Sequence, residues 1–255
     1  MVNVISIIFG AIVGSFLNVC IFRLPKEESI VWPGSHCPHC NNPIKFYDNI
    51  PLVSYILLKG KCRHCHSPIS FQYPLIEAIT AFTSLILFMK FGPSLSYLFY
   101  FLFVAALIVI TVIDLYHQII PDVISLPGIG VGLLASLMIP QITLSNSLIG
   151  ILLGGGSLFL VATIYQWLFK REGMGGGDVK LLAMIGAFLG WKAVILIILL
   201  GSLIGSIIGI MIMALKGKDF KYAIPFGPFL SLGAVISLFY QDEIIVWYLQ
   251  YIRMT

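Results

Sequence analysis

A chain of 255 residues in which 59% are hydrophobic and only 10% charged is too apolar for a soluble globular domain, and it reads as a polytopic membrane protein. The formal net charge of +4 is modest, its distribution says more than its sum, and the expected partner is a lipid bilayer, not nucleic acid. Many of the 24 glycines lie inside apolar runs, where small residues let membrane helices approach closely without implying any activity.

The first apolar run, Val4 to Phe22, has the length of a spanning helix and no basic stretch before it, so no cleavable signal peptide is expected. Arg23-Leu24-Pro25-Lys26-Glu27-Glu28 ends it with charge and a helix-breaking proline. From there to about Gln72 the chain is polar and holds four of the five Cys and four of the five His. Further runs follow at Pro74 to Met89, Tyr97 to Ile113, Val123 to Ile139 and Ser147 to Phe169, the last containing Gly154-Gly155-Gly156. Val179 to Leu189 is short, spanning about 16 Å as a helix, and Ala193 to Leu215 comes after the interfacial pair Trp191-Lys192. Ile224 to Tyr240 is interrupted early by Pro225-Phe226-Gly227-Pro228, and the tail after Gln241-Asp242-Glu243 is expected to lie at the interface. The expected fold is all-α, with about eight transmembrane helices and a small cytoplasmic module. Residues 1–22 form the first helix, 23–72 the module and 73–255 the main membrane domain.

With eight spans, one side receives Arg23, Lys26, Lys45, Lys59, Lys61, Arg63, Lys170, Arg171, Lys180, Lys216, Lys218 and Lys221, twelve of the fifteen basic residues. The other side receives Lys90, Lys192 and Arg253. Positive charge accumulates in the cytoplasm, which puts the polar module there together with Asp114 and Asp178.

Those two aspartates are the candidate catalytic pair. Asp178 sits in Gly173-Met174-Gly175-Gly176-Gly177-Asp178-Val179-Lys180, where a membrane segment is about to begin, and an acid there is costly unless something uses or pairs it. Asp114 ends the Tyr97 to Ile113 run. Two carboxylates at the same depth can share a proton and activate a water, the chemistry of aspartyl hydrolysis. By helix ends alone, the N-terminal position of Asp178 favours its ionised form and the C-terminal position of Asp114 its protonated form. Gly175, Gly176 and Gly177 permit close approach of a substrate backbone, and Lys180 either snorkels or biases Asp178 toward charge. A lone Asp at a membrane edge is ordinarily a cap and Asp122 an ordinary turn residue; two acids at one face, one in a glycine-rich turn, favour function.

Cys37-Pro38-His39-Cys40 and Cys62-Arg63-His64-Cys65 form two CxxC pairs. Cys37, Cys40, Cys62 and Cys65 can supply four thiolates to a structural zinc, which would provide much of the folding energy of a module with few apolar residues. Disulfides are disfavoured by the cytosolic placement, and a redox CxxC by the lack of a βαβ pattern. His36, His39, His64 and His66 are expected at the surface, Cys20 as a small packed hydrophobe, and His117 carries little weight.

In this order the motifs resemble the type IV prepilin leader peptidases across nearly the whole chain. Gly14-Ser15-Phe16-Leu17-Asn18-Val19 with Arg23-Leu24-Pro25 is similar to that family's opening motif, and the CxxC pairs with Tyr73-Pro74-Leu75-Ile76-Glu77 to its cytoplasmic domain. Asp114 through Pro121-Asp122, then Gly175-Gly176-Gly177-Asp178 with Lys180, resemble its two aspartate motifs, and Pro225-Phe226-Gly227-Pro228 its late proline motif. The resemblance implies an inner-membrane enzyme with Asp114 and Asp178 catalytic, cleaving the basic leader of prepilin or pseudopilin substrates, usually after a glycine. It also implies use in pilus assembly, secretion or competence, and methylation of the new N-terminal amine from S-adenosyl-L-methionine. No glycine-rich nucleotide loop after a strand is visible, so no motif places the methyl donor.

Two other readings are weighed. An intramembrane protease of the presenilin or signal-peptide-peptidase type shares the GxGD idea, but here Ile113, not tyrosine, precedes the first Asp and the late motif is Pro-Phe-Gly-Pro. A proton-coupled transporter also uses membrane carboxylates, but it predicts internal repeats that are not evident.

Overall fold

Apolar runs in lipid must satisfy their backbone internally, and helix is the local way to do it. The computed structural model describes residues 2–170, 175–216 and 225–254. Gly173 and Met174 of the glycine-rich stretch, Arg171, Lys218, Lys221, and Ile224, where the last span was expected to begin, lie outside the described residues. The helices are α1 (Val2–Arg23), the short α2 (Val53–Leu57), α3 (Gln72–Phe91), α4 (Leu95–His117), α5 (Asp122–Met138), α6 (Leu144–Phe169), α7 (Gly176–Lys216) and α8 (Gly227–Met254).

Among the described residues six helices are long and apolar enough to cross a membrane, fewer than the eight expected. One shortfall is α5, which has only 17 residues. The other is α7, where Val179 to Leu189 and Ala193 to Leu215 join in one 41-residue run. That run is not straight. Gly190 sits inside it at φ 80° and ψ 175°, a left-handed conformation natural only to glycine. A straight helix would carry Gly205 about 42 Å from Gly177. Gly205 instead lies against Phe229, two residues after Gly227, and Ile120 packs against both Gly227 and Gly177. The chain therefore doubles back at Gly190, with a first limb at 176–189 and a second at 191–216. The tail expected at the interface instead continues α8 to Met254.

Two compact units divide between Val109 and Ile110, inside α4. In the first, α1 runs antiparallel to α3 at backbone contact. A Cβ on Gly10 would stand 2.7 Å from the Cα of Ala81, and one on Gly14 2.8 Å from the Cα of Glu77. Helices that gain no hydrophobic driving force in lipid associate through such close packing. Polar ties reinforce it: Ser84 Oγ donates to the carbonyl of Ser6 at 2.7 Å, and Asn18 Nδ2 to that of Tyr73 at 3.1 Å. Rings of α3 and α4, Phe91 with Tyr100 and Phe88 with Tyr97, pack those two helices against each other.

The second unit repeats the device. Gly150 and Gly154 of α6 face Gly186 and Leu182 on the first limb of α7, and a Cβ on Gly154 would come 2.5 Å from the carbonyl oxygen of Leu182. Gly128 and Gly132 of α5 likewise accept Met184 and Ala187. The second limb packs on α8, with Gly233 beside Ile197. Gly186→Leu, which drives a side chain into the backbone of α6, is expected to lower the thermal unfolding midpoint in detergent by at least about 5 °C, an effect of a few kcal/mol. Gly156→Ala, whose new Cβ meets nothing within 4 Å, is expected to leave the midpoint unchanged or raise it slightly.

Candidate active site and metal centre

Asp114 lies in the last turn of α4 and is only 5% exposed, one turn beyond the fully buried Ile110 and next to the fully buried Ile113. The helix ends just past it: Gln118 takes a left-handed φ of 55°, and its N–H bonds the Asp114 carbonyl at 2.9 Å. The side chain is held from another helix. The backbone N–H of Gly227, the first residue of α8, donates to Asp114 Oδ2 at 2.9 Å. A Cβ on Gly227 would stand 2.6 Å from that oxygen, so only glycine lets the amide come so near.

Asp178 is the third residue of α7, half-buried, where a carboxylate suits the free N–H groups of a helix start. Its own N–H bonds the Gly175 carbonyl at 3.2 Å, closing the turn that leads in. Asp114 and Asp178 are linked through the residues that support them, Gly227 and Gly177. Ile120 is the wedge between their supports. A Cβ on Gly177 would meet its Cβ at 2.8 Å, and one on Gly227 its Cδ1 at 3.4 Å. Gly176 borders open space, and Gly175 and Gly176 are exposed.

The electrostatics differ from those expected of helix ends taken one chain segment at a time. Asp114 sits at the negative end of α4, yet it also meets the N-terminus of α8, where the partial charge is positive. The ends of α4 and α7 alone therefore do not divide the roles of the two acids. Lys180 differs too: its Nζ bonds the oxygens of Asp122 at 2.8 and 2.7 Å and thereby ties the first turn of α5 to that of α7. Asp122, expected to be a plain turn residue, is thus a tether beside the site. His117 is exposed. Sequence reasoning did not find the Gly227 amide or Ile120; the proline-flanked Pro225-Phe226-Gly227-Pro228 was the available signal for the first, and nothing marked the second.

The metal centre belongs to the first unit. Each CxxC closes a knuckle in the same way: the N–H of Asn41 bonds the Cys37 carbonyl at 2.9 Å, and the N–H of His66 bonds the Cys62 carbonyl at 3.1 Å. Asn41 and His66 both adopt left-handed φ, 56° and 54°. Antiparallel bridges from His36 to Pro43 and from Lys61 to Pro68 shut the two loops. The four sulfurs of Cys37, Cys40, Cys62 and Cys65 all lie within 4.8 Å of one another. Zinc–sulfur bonds of about 2.3 Å in a tetrahedron separate the sulfurs by about 3.8 Å, and Cys37 and Cys65 stand 3.8 Å apart.

The electrostatics of the cluster suit a divalent cation. Against burial, which raises it, the N–H groups of Cys40 and His39 and the neighbouring thiols bring Cys37 down to about 6. Cys40 rises to about 11 despite the Asn42 N–H, because burial and the other three thiols oppose a further negative charge. Ser67 Oγ lies 3.0 Å from Cys65 Sγ and can donate to its thiolate, the usual outer support of a ligand. The cluster can therefore hold zinc. Beside it, Arg63 clamps Asp48 with both Nε and Nη2 and holds that carboxyl below the usual range.

Residues 8–91 match the bacterial peptidase A24 N-terminal domain, and residues 101–210 the type IV leader peptidase family. A prepilin leader peptidase/N-methyltransferase of Aeromonas salmonicida (strain A449) is 38% identical over 95% of this chain and 92% of its own. Proteins of the same description from Pseudomonas aeruginosa and Legionella pneumophila are 38% and 36% identical, each over 96% of this chain and 93% of their own. No solved structure matches. The chain belongs to the type IV leader peptidase family.

Replacing Cys37, Cys40, Cys62 and Cys65 together by serine is expected to remove bound zinc, read by elemental analysis of the purified protein, and to lower the unfolding midpoint. Equal metal content in the variant and the parent would refute the assignment.

Proposed function

We propose, for this member of the type IV leader peptidase family, that the chain is a membrane-embedded aspartic endopeptidase that cuts the basic leader from prepilin-like proteins and N-methylates the residue exposed by the cut. The observation that carries the peptidase reading is the meeting of Asp114, the Gly227 amide, Ile120 and the glycine turn before Asp178. Asp114 and Asp178 act as a pair sharing one proton. The ionised member takes a proton from water as the water oxygen bonds the peptide carbonyl carbon, and the other gives its proton to the carbonyl oxygen. The tetrahedral diol then collapses: the C–N bond breaks, the leaving nitrogen takes a proton from the first acid, and the second recovers one from the diol hydroxyl. The pair ends as it began.

The remaining residues serve that chemistry. The Gly227 N–H holds one oxygen of Asp114 in place without a side chain in the way. Gly175, Gly176 and Gly177 present bare backbone, where an extended substrate can lie close to Asp178. Lys180 acts through Asp122, steadying α5 against α7. The distribution of basic residues supports placing the aspartates and the 23–72 zinc module at the cytosolic face of the bacterial inner membrane, where a positively charged leader is retained. The main membrane domain, 73–255, carries the peptidase pair. The methyl group is supplied by S-adenosyl-L-methionine, and zinc is structural.

The test is cleavage of a co-expressed prepilin, followed by kinetics on purified protein. Asp114→Asn and Asp178→Asn are each expected to lower kcat by about a thousandfold or more, and wild-type processing by either folded variant would sink the pair. Gly227→Ala is expected to cost about 10–100-fold in kcat with little change in KM, since its methyl group displaces the Asp114 carboxylate. Lys180→Ala and Asp122→Ala are each expected to cost under about tenfold, and the double variant no more than the worse single one, as for one shared ion pair.

A further inference from the structure

Methyl transfer needs a donor site, and the first unit contains two buried charged residues that the peptidase chemistry does not use. Arg23, at the end of α1, is 7% exposed, and Glu77, in the second turn of α3, is equally buried. Each holds a loop by its backbone. Arg23 Nη1 donates to the Ser29 carbonyl at 2.8 Å and Nη2 to those of Pro33 at 2.7 Å and Gly34 at 3.4 Å. Glu77 Oε2 accepts from the N–H of Leu52 at 2.7 Å, holding that residue at a left-handed φ of 62°. The two loops and one face of α1 border a half-open cavity of about 360 Å³, within the range of small-ligand sites.

Its walls are of two kinds. Ile12 and Val31 are apolar, Ser15 and Asn49 offer hydrogen bonds, and Arg23 and Gly34 stand where the 29–34 loop closes over the helix end. Among the described residues no carboxylate forms an ion pair with Arg23; the two ion pairs present are Arg63–Asp48 and Lys180–Asp122. A guanidinium has five N–H donors, and the three carbonyls leave two for something else. A buried cation without an anion is unfavourable, and a carboxylate taken up from solution corrects it.

We propose that this cavity binds S-adenosyl-L-methionine, with Arg23 taking the carboxylate of its amino-acid end, Asn49 and Ser15 its polar edges, and the apolar walls its adenosyl group. This rests on the methyl-transfer reading given above. Glu77 is a positioning residue: bonded to Leu52, it fixes the loop that carries Asn49.

The test is equilibrium binding of radiolabelled S-adenosyl-L-methionine to the full chain in phosphatidylcholine nanodiscs, with zinc content and unfolding midpoint measured alongside. Arg23→Gln is expected to weaken binding at least about tenfold, the loss of one charge-assisted contact. Because Arg23 also supports its loop, Gly34→Trp provides a second, independent reading. Gly34 lines the cavity and a Cβ there meets nothing within 4 Å, so an indole can be added at the cavity wall without disturbing packing, and it too is expected to weaken binding at least about tenfold. Wild-type affinity in folded Gly34→Trp would overturn the site, whatever Arg23→Gln does. A parent protein that cleaves prepilin but binds no S-adenosyl-L-methionine would instead overturn the methyl-transfer reading, and this site with it.

Discussion

A carboxylate cannot be kept inside an apolar helix bundle unless something donates to it, and in this protein the donor is a backbone amide from a helix more than a hundred residues away. The bond from the Gly227 N–H to Asp114 Oδ2 fixes the start of α8 against the end of α4. Ile120, in the link that follows α4, then has the bare faces of Gly227 and Gly177 to fill, which sets where α7 begins. Asp178 comes one residue later. The site is thus the place where three helix ends converge, and the starts of α7 and α8 meet the Ile120 wedge as bare glycine backbone because a side chain would not fit there.

Holding helix ends this closely requires the helices behind them to pack closely as well. Both units do it with glycine, Gly10 and Gly14 in the first, Gly150, Gly154 and Gly186 in the second, all at backbone-to-backbone contact. In a bilayer the apolar effect that packs soluble helices is absent, so dispersion between close backbones and a few buried hydroxyl bonds replace it. The 23–72 module uses another device. It closes two matching knuckles around four sulfurs and holds its loops with the buried charges of Arg23 and Glu77.

Much of this was legible in the sequence, and the residues show why. Hydropathy located every apolar run, because the cost of a charge in lipid is local. The paired CxxC motifs identified the metal cluster, since tetrahedral sulfur ligation leaves a fixed short spacing in the chain. Asp114 and Asp178 stood out as acids at the edges of apolar runs. Run length, by contrast, did not yield the number of complete spans, since α5 is short and two runs join at Gly190, where a single left-handed residue reverses the chain.

What the chain alone determined is where its helices lie, which of its acids border them and which of its cysteines act together, because each of these follows from the solvation or geometry of neighbouring residues. Only the tertiary structure decided what those groups touch: Asp114 meets Gly227, Lys180 meets Asp122 and not Asp178, and Ile120 fills the space between two glycines. Those contacts join residues from separate helix ends. A helix end carries free N–H groups and partial charge whatever its sequence, so which end comes to face which acid is settled by how the helices pack.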